Sequence, residues 1–161
     1  RSVVRIQGMA GPDALLVPRV QGGYDPRSRV VMARWGTKPR LRPREGAWEG
    51  CISQPPATLF DVPVRVRIVS ASGAFDNVRV DQRGALSAAP AYLVAEHDCS
   101  LSSSRRGRRV AIVRVEGPWP VGGRWWVEER PRAYMRALLE DGRDVLLVWK
   151  DGEWAMEGLA Q

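Results

Sequence analysis

The clearest hydrophobic pattern begins at Pro63. Val64, Val66 and Ile68 alternate with Arg65 and Arg67, the two-residue period of a strand with one buried and one wet face. Residues 70–74 read as a turn. Val78-Arg79-Val80 alternates again before Asp81-Gln82-Arg83-Gly84 turns back. Residues 90–95 form a further strand or extended edge, the Ser/Arg-rich run 99–109 a polar loop, and residues 110–115 resume the sheet. Tyr134-Met135-Arg136-Ala137-Leu138-Leu139 is ambiguous in isolation, because Ala, Met, Leu and Arg are good helix formers. Asp141-Gly142 and Asp151-Gly152 decide it: each stands between two apolar runs, and Asp-Gly in that setting marks a hairpin. Residues 133–140, 143–149 and 153–158 are therefore expected to form a three-strand meander. The total is about seven or eight short strands, enough for a small antiparallel barrel or a curled sheet. The expected fold class is mainly β.

The first third reads differently. Residues 3–9 are apolar at mixed spacing, the end of a helix or a short strand, and residues 13–17 form a short strand stopped by Pro18. Gly22-Gly23 and Asp25-Pro26 punctuate a turn-rich loop over 21–29. Residues 30–35 are a short strand closed by Gly36. Lys38-Pro39-Arg40-Leu41-Arg42-Pro43-Arg44 then alternates proline with basic residues, which favours an extended, solvated linker. The expected organisation is a basic arm or linker over 1–50 and a β domain over 51–161.

Charge sharpens that division. Residues 1–50 hold 10 Lys/Arg against 4 Asp/Glu, whereas residues 51–161 hold 15 against 14. The net +7 of the whole chain is thus almost entirely local to the arm. A local basic segment can follow a phosphate backbone or simply solubilise a linker. Arg34, Lys38, Arg40, Arg42 and Arg44 are the candidate DNA contacts. The 44% hydrophobic content suits a folded chain, and 12 Pro with 16 Gly favour strands and loops. No apolar run approaches the ~20 residues of a membrane helix, so no membrane partner is expected. The chain starts at Arg1 with no signal-peptide pattern and reads as a piece of a longer protein. Cys51, Cys99 and His97 supply at most three ligands, too few for a four-ligand zinc site; free cytoplasmic thiols are the simpler reading, with a disulfide left open.

The densest stretch is Gly117-Pro118-Trp119-Pro120-Val121-Gly122-Gly123-Arg124-Trp125-Trp126. Pro118 and Pro120 remove amide donors and should keep Trp119 out of any central strand. Gly122-Gly123 should reverse the chain into a new strand from Arg124. Adjacent residues on a strand face opposite ways, so Trp125 and Trp126 cannot both fill one core. Trp119, Trp125, Trp126 and Trp154 are the candidate protein-binding residues, against the alternative that they are packing residues.

This stretch also carries a family resemblance. Gly117-Pro118-Trp119-Pro120-Val121 followed by Trp125-Trp126 resembles the C-terminal region of ImuB, the Y-family polymerase homologue of bacterial mutagenic repair complexes. Leu139-Glu140-Asp141-Gly142-Arg143, Val145-Leu146-Leu147-Val148 and Asp151-Gly152-Glu153-Trp154-Ala155-Met156-Glu157-Gly158 continue the likeness. So do Gln21-Gly22-Gly23-Tyr24-Asp25-Pro26-Arg27 and Leu86-Ser87-Ala88-Ala89-Pro90-Ala91, in the same order along most of the chain. It departs at the end, where Leu159-Ala160-Gln161 stands in place of the family's aromatic-acidic finish. The resemblance implies that residues 1–17 adjoin an upstream polymerase-like body. It further implies a non-catalytic adaptor in the SOS response to DNA damage. Such an adaptor would recruit a RecA-like accessory protein and an error-prone C-family DNA polymerase for translesion synthesis at the sliding clamp, in the cytoplasm on the nucleoid.

The residue inventory points the same way. Enzymatic group transfer needs a nucleophile with a base, or paired carboxylates in a pocket. His97 is the single imidazole and lies in the polar run Glu96-His97-Asp98-Cys99, a poor setting for a preorganised Cys99–His97 dyad. Gln21-Gly22-Gly23 lacks the spacing and lysine of a phosphate-cradling loop. No carboxylate cluster suited to two Mg²⁺ ions is apparent. The expectation is no enzyme, no metal and no cofactor. Gln54-Pro55-Pro56-Ala57-Thr58-Leu59-Phe60 loosely resembles the sliding-clamp peptide, which offers Gln54 and the pair Leu59-Phe60 to an apolar pocket. Ala57 stands where an aliphatic anchor belongs, which favours instead Leu59 and Phe60 as the start of the β core. The leading expectation is a protein-interaction module. The alternative is a β-barrel binding single-stranded nucleic acid through exposed rings and the basic arm, and the near-neutral charge of 51–161 weighs against it.

Overall fold

The computed structural model describes residues 2–23, 26–43, 58–72, 77–96, 109–121 and 132–160. The chain divides into two units, Arg1–Cys51 and Ile52–Gln161. In the first, helix α1 (Ser2–Ala10) precedes a two-stranded antiparallel sheet of β1 (Leu16–Val20) and β2 (Val30–Arg34). Pro18 lies within β1, paired with Met32. A two-stranded sheet consists of two edges, and an edge strand tolerates the missing amide. Residues 37–43 carry neither helix nor strand. They do not run on as a free linker: Gly22 N donates to Arg42 O at 3.1 Å, and Arg42 N to the Gln21 side-chain oxygen at 3.3 Å.

The second unit is a closed antiparallel barrel of six strands, each beside its sequence neighbours and the last beside the first. They are β3 (Thr58–Ser70), β4 (Pro90–Ala95), β5 (Arg109–Val121), β6 (Arg132–Leu139), β7 (Asp144–Lys150) and β8 (Glu153–Ala160). The expected meander is β6–β7–β8, its two Asp-Gly turns built in different ways. At Gly142 (φ 84°) a three-residue loop closes with Leu139 N donating to Arg143 O at 2.8 Å. At the second turn Asp151 (φ 55°) and Gly152 (φ 83°) are both left-handed, the two-residue turn whose twist matches that of the strands.

Side chains fill the barrel. Val66, Ile68, Leu93, Val110, Met135, Ala137, Leu139, Val145, Leu147, Trp154 and Met156 point inward and are buried, joined by Phe60 and Val78. Arg65 and Arg67, the alternating partners on β3, face outward and pair with Glu153 and Glu96 at 3.2 and 3.7 Å. The segment expected as strand 78–80 makes only isolated bridges, Val69 with Asn77 and Val80 with Leu86. It is docked instead through its polar groups: Asn77 Oδ1 accepts from Ile68 N at 2.9 Å, and Val78 N donates to Ile68 O at 2.7 Å. Val80 and Leu86 then pack against the interior cluster.

The strand expected to stop at Pro18 instead runs on to Val20. Trp119 belongs to β5, paired with Tyr134, and Pro120 pairs with Ala133, but not where the strand is paired on both sides. The reason lies in the unequal lengths of the neighbours. The β4 ladder reaches only Arg109–Ala111 of β5, so at residues 118–120 the described ladder is one-sided, with β6. Prolines are compatible with a strand that needs donors on one side only.

Candidate functional site

Three irregularities across the β5–β8 wall set which side chains face outward. Between Ile112 and Arg114 one residue, Val113, is extra. It bulges into solvent, and Arg114 and Glu116 then point out while Val115 packs inward. A second irregularity lies between Glu116 and Trp119, at Gly117 (φ 100°) and the cis Gly117–Pro118 peptide. A third shifts β7 against β8 between Leu146 and Leu147, so that Leu146 opposes Gly158 and Leu147 opposes Met156.

The pairing then lays three outward rows across the barrel wall. The first is Trp119–Tyr134–Val148–Ala155, one residue from each of β5 to β8. The second is Glu116–Arg136–Leu146–Gly158, ending on Leu59 of β3. The third is Arg114–Leu138–Asp144–Ala160. The apolar members make a second hydrophobic cluster on the outside of the barrel. Tyr134, Leu146, Val148 and Val121 are buried, with Leu59, Trp119 and Ala155 packed against them and half-exposed.

Beside this cluster lies a cleft of about 210 Å³ lined by Arg114, Glu116, Arg136, Leu138 and Asp144. Arg136 grips Asp144 in a fork, Nε at 2.8 and 2.9 Å from the two carboxylate oxygens and Nη2 at 2.6 Å from Oδ2. Both side chains are largely covered, 16% and 21% exposed. The hydrogen bond to Asp144 raises the Arg136 pKa above its ordinary value, with burial opposing it. Arg114 and Glu116 pair at 2.7 Å further out. What this wall leaves accessible is the rim of Trp119, Leu59 and Ala155 beside paired arginines and carboxylates, a mixture suited to protein contact.

The expected site residues distribute unevenly. Trp119 sits at the rim of the outer cluster. Trp154 is wholly inside, its indole Nε1 donating to Val78 O at 2.6 Å, and it has no surface to offer a partner. Trp125 and Trp126 lie outside the described residues, as do Gln54, Arg44, Cys51, His97 and Cys99. Phe60 is in the barrel interior and Leu59 in the outer cluster, both part of β3. Offering Phe60 to a clamp pocket would unmake the first turn of the barrel wall. Arg34, Lys38, Arg40 and Arg42 are exposed in the first unit, Arg34 paired with Asp13. Sequence reasoning missed Tyr134, Arg136, Asp144, Leu146 and Val148. The available signal was that β6 and β7 are apolar at odd and even positions alike, which a barrel with a bare outer face does not need.

Among the described residues no group of three His, Cys, Asp or Glu side chains is placed to hold a metal ion, and no helix is long and apolar enough to cross a membrane. No family model matches the chain, and neither a curated protein nor a solved structure matches it.

Proposed function

We propose that this chain is a protein-interaction module, an adaptor that binds its partner on the outer wall of the barrel. The observation that carries the reading is Trp119, half-exposed at the rim of an outer apolar cluster whose Tyr134 and Val148 are themselves covered, on a barrel whose interior is already filled. A filled barrel binds on its surface, and an aromatic at the rim of an apolar cluster beside paired charges is the usual composition of a binding hot spot. The likeness of residues 117–126 and 139–158 to the C-terminal region of ImuB supplies the partners to try: a RecA-like accessory protein and an error-prone C-family polymerase of a DNA-damage-induced translesion complex. The test is capture of each purified partner by this chain and by Trp119→Ala and Arg114→Glu, at low and high salt. Binding that survives salt and is lost in Trp119→Ala supports the reading. Equal capture by all three forms, or none by the unaltered chain, removes it.

A further inference from the structure

The β1–β2 sheet of the first unit carries apolar residues on both faces, with the exposed Arg19 on one and Arg34 on the other. On one, Val17 and Val31 are half-covered and Ala33 is buried. On the other, the pairs Leu16–Arg34, Pro18–Met32 and Val20–Val30 stand side by side. That second face is open: Leu16 is 46% exposed, Val20 57%, Val30 43% and Met32 55%, with Trp35 at 50% just beyond the end of β2. A hairpin gains nothing from wet valine, leucine and methionine in a row, and contiguous exposed apolar patches of this kind mark docking surfaces.

The surrounding charge selects the occupant. Residues 2–43 carry eight Lys/Arg against two Asp/Glu. Arg34, paired with Asp13, stands at one end of the face, and at the other the Arg42 backbone is tied to the Gln21 side chain and to Gly22 N, directly after Val20. Two copies of this surface brought together would oppose like charges at close range, which disfavours a second copy of the chain. A nucleic acid would satisfy the cations but would leave four aliphatic side chains against phosphate and sugar, with Trp35 alone to stack on a base. A partner carrying both carboxylates and apolar side chains satisfies both features. We propose that the open face of the β1–β2 hairpin docks an acidic, amphipathic segment of a partner protein. This proposal does not rest on the reading of the barrel wall.

The probe is a short fluorescent peptide of alternating leucine and glutamate, titrated into the full chain by anisotropy. Controls are a serine–glutamate peptide, a leucine–lysine peptide and an oligothymidylate. The leucine–glutamate peptide should bind best, and Met32→Glu and Val20→Glu should weaken it roughly tenfold or more, as for loss of an anchor residue. Met32→Ser, a milder change, should weaken it less, and Val113→Glu on the barrel should leave it unchanged. Circular dichroism on each variant separates lost binding from lost folding. Equal binding by the unaltered chain and the hairpin variants overturns the proposal. So does preference for the lysine peptide, or oligothymidylate binding that is lost in Met32→Glu. Concentration-dependent dimerisation abolished by Met32→Glu would assign the face to a second copy and overturn it as well.

Discussion

The indole of Trp154, on the last strand, donates a 2.6 Å hydrogen bond to the carbonyl of Val78, in the long connection between the first two barrel strands. Both residues are buried, Trp154 at 0% and Val78 at 1% exposure. This one bond joins the filling of the barrel to the loop over it, because Val78 has no regular ladder of its own and relies on Ile68, Asn77 and Trp154 to satisfy its surroundings.

Trp154→Phe keeps a large ring but strands the Val78 carbonyl without its donor. The expected cost is about 1–3 kcal/mol for a buried acceptor left unmatched, and Trp154→Ala should lose roughly 3–5 kcal/mol. Trp149→Phe leaves the bond in place and should cost less, although the Trp149 ring packs against Trp154 at a 57° tilt with centroids 5.3 Å apart. Urea unfolding of the three variants checks the order.

Much of the barrel was legible in the sequence, and the limits have physical causes. Val64, Val66 and Ile68 obey strict alternation because β3 has one face inside and one in water along that stretch. Asp141-Gly142 and Asp151-Gly152 fixed the meander because turn chemistry is local. What escaped reading is non-local. The outward row through Trp119 depends on an extra residue at Val113 and another at Gly117-Pro118, and a one-residue slip exchanges the faces of every residue that follows. Pro118 and Pro120 signalled that Trp119 stays out of a strand paired on both sides, but not that it would join one paired on one side only. Where β4 stops was not visible in composition. Phe60 was legible as core, whereas Trp154 looked like a surface aromatic because nothing in sequence reveals an acceptor waiting at Val78.

Gly158 is where β8 crosses the start of β3. A Cβ there would collide with the Thr58 carbonyl oxygen and approach the Leu59 Cα to 3.3 Å. Both obstacles are backbone, so the strands themselves would have to part. Gly158→Ala should therefore cost about 1–3 kcal/mol or more, as overpacking does. Thermal unfolding of Gly158→Ala with a loss within 0.5 kcal/mol, the scale of an ordinary surface change, would show that the two strands separate freely.

The Arg136–Asp144 fork ties β6 to β7 at a level where both side chains are mostly covered. Arg136→Ala leaves a covered carboxylate without its guanidinium and should cost about 1.5–3 kcal/mol, the range for charged hydrogen bonds. Arg136→Lys keeps the charge but not the fork and should recover only part of that. Because folding raises the Arg136 pKa, this contribution is complete at every pH below the ordinary arginine range. It is lost only as the pH rises through the raised value. Unfolding of the unaltered chain and Arg136→Ala should thus differ by a constant amount from neutral into mildly alkaline buffer. A difference that shrinks across that window would mean the guanidinium is not what holds the pair.

At the last turn, Asp151 is the one described non-glycine residue in the left-handed region. Asn adopts that conformation as readily as Asp, so Asp151→Asn should be neutral, while Asp151→Val should cost roughly 1–2 kcal/mol because a branched Cβ meets the following carbonyl. Gly152→Ala, at φ 83°, should lose a similar amount. Chemical denaturation distinguishes them, and equal stability of Asp151→Val and the parent would mean the turn re-forms in another geometry.

Trp119 and Trp154 make the sharpest contrast in the molecule, and it bears directly on function. Trp154 fills the barrel, so its removal is a folding defect. Trp119 lies on the outer wall, half-exposed, against Tyr134 and Val148. Truncating it removes area that water already reaches in part, so the stability cost should fall below that of Trp154→Ala. The partner, in contrast, would lose an aromatic anchor at the edge of an apolar cluster, a position whose truncation commonly costs ~2 kcal/mol or more in binding. Trp119→Ala should therefore melt cooperatively at a slightly lower temperature than the parent and bind its partner roughly thirtyfold more weakly, the ratio that 2 kcal/mol sets. The measurements are differential scanning calorimetry beside a binding titration on the same preparation. A variant that unfolds as severely as Trp154→Ala would make Trp119 a structural residue. One that melts like the parent and binds like the parent would move the interface off this wall.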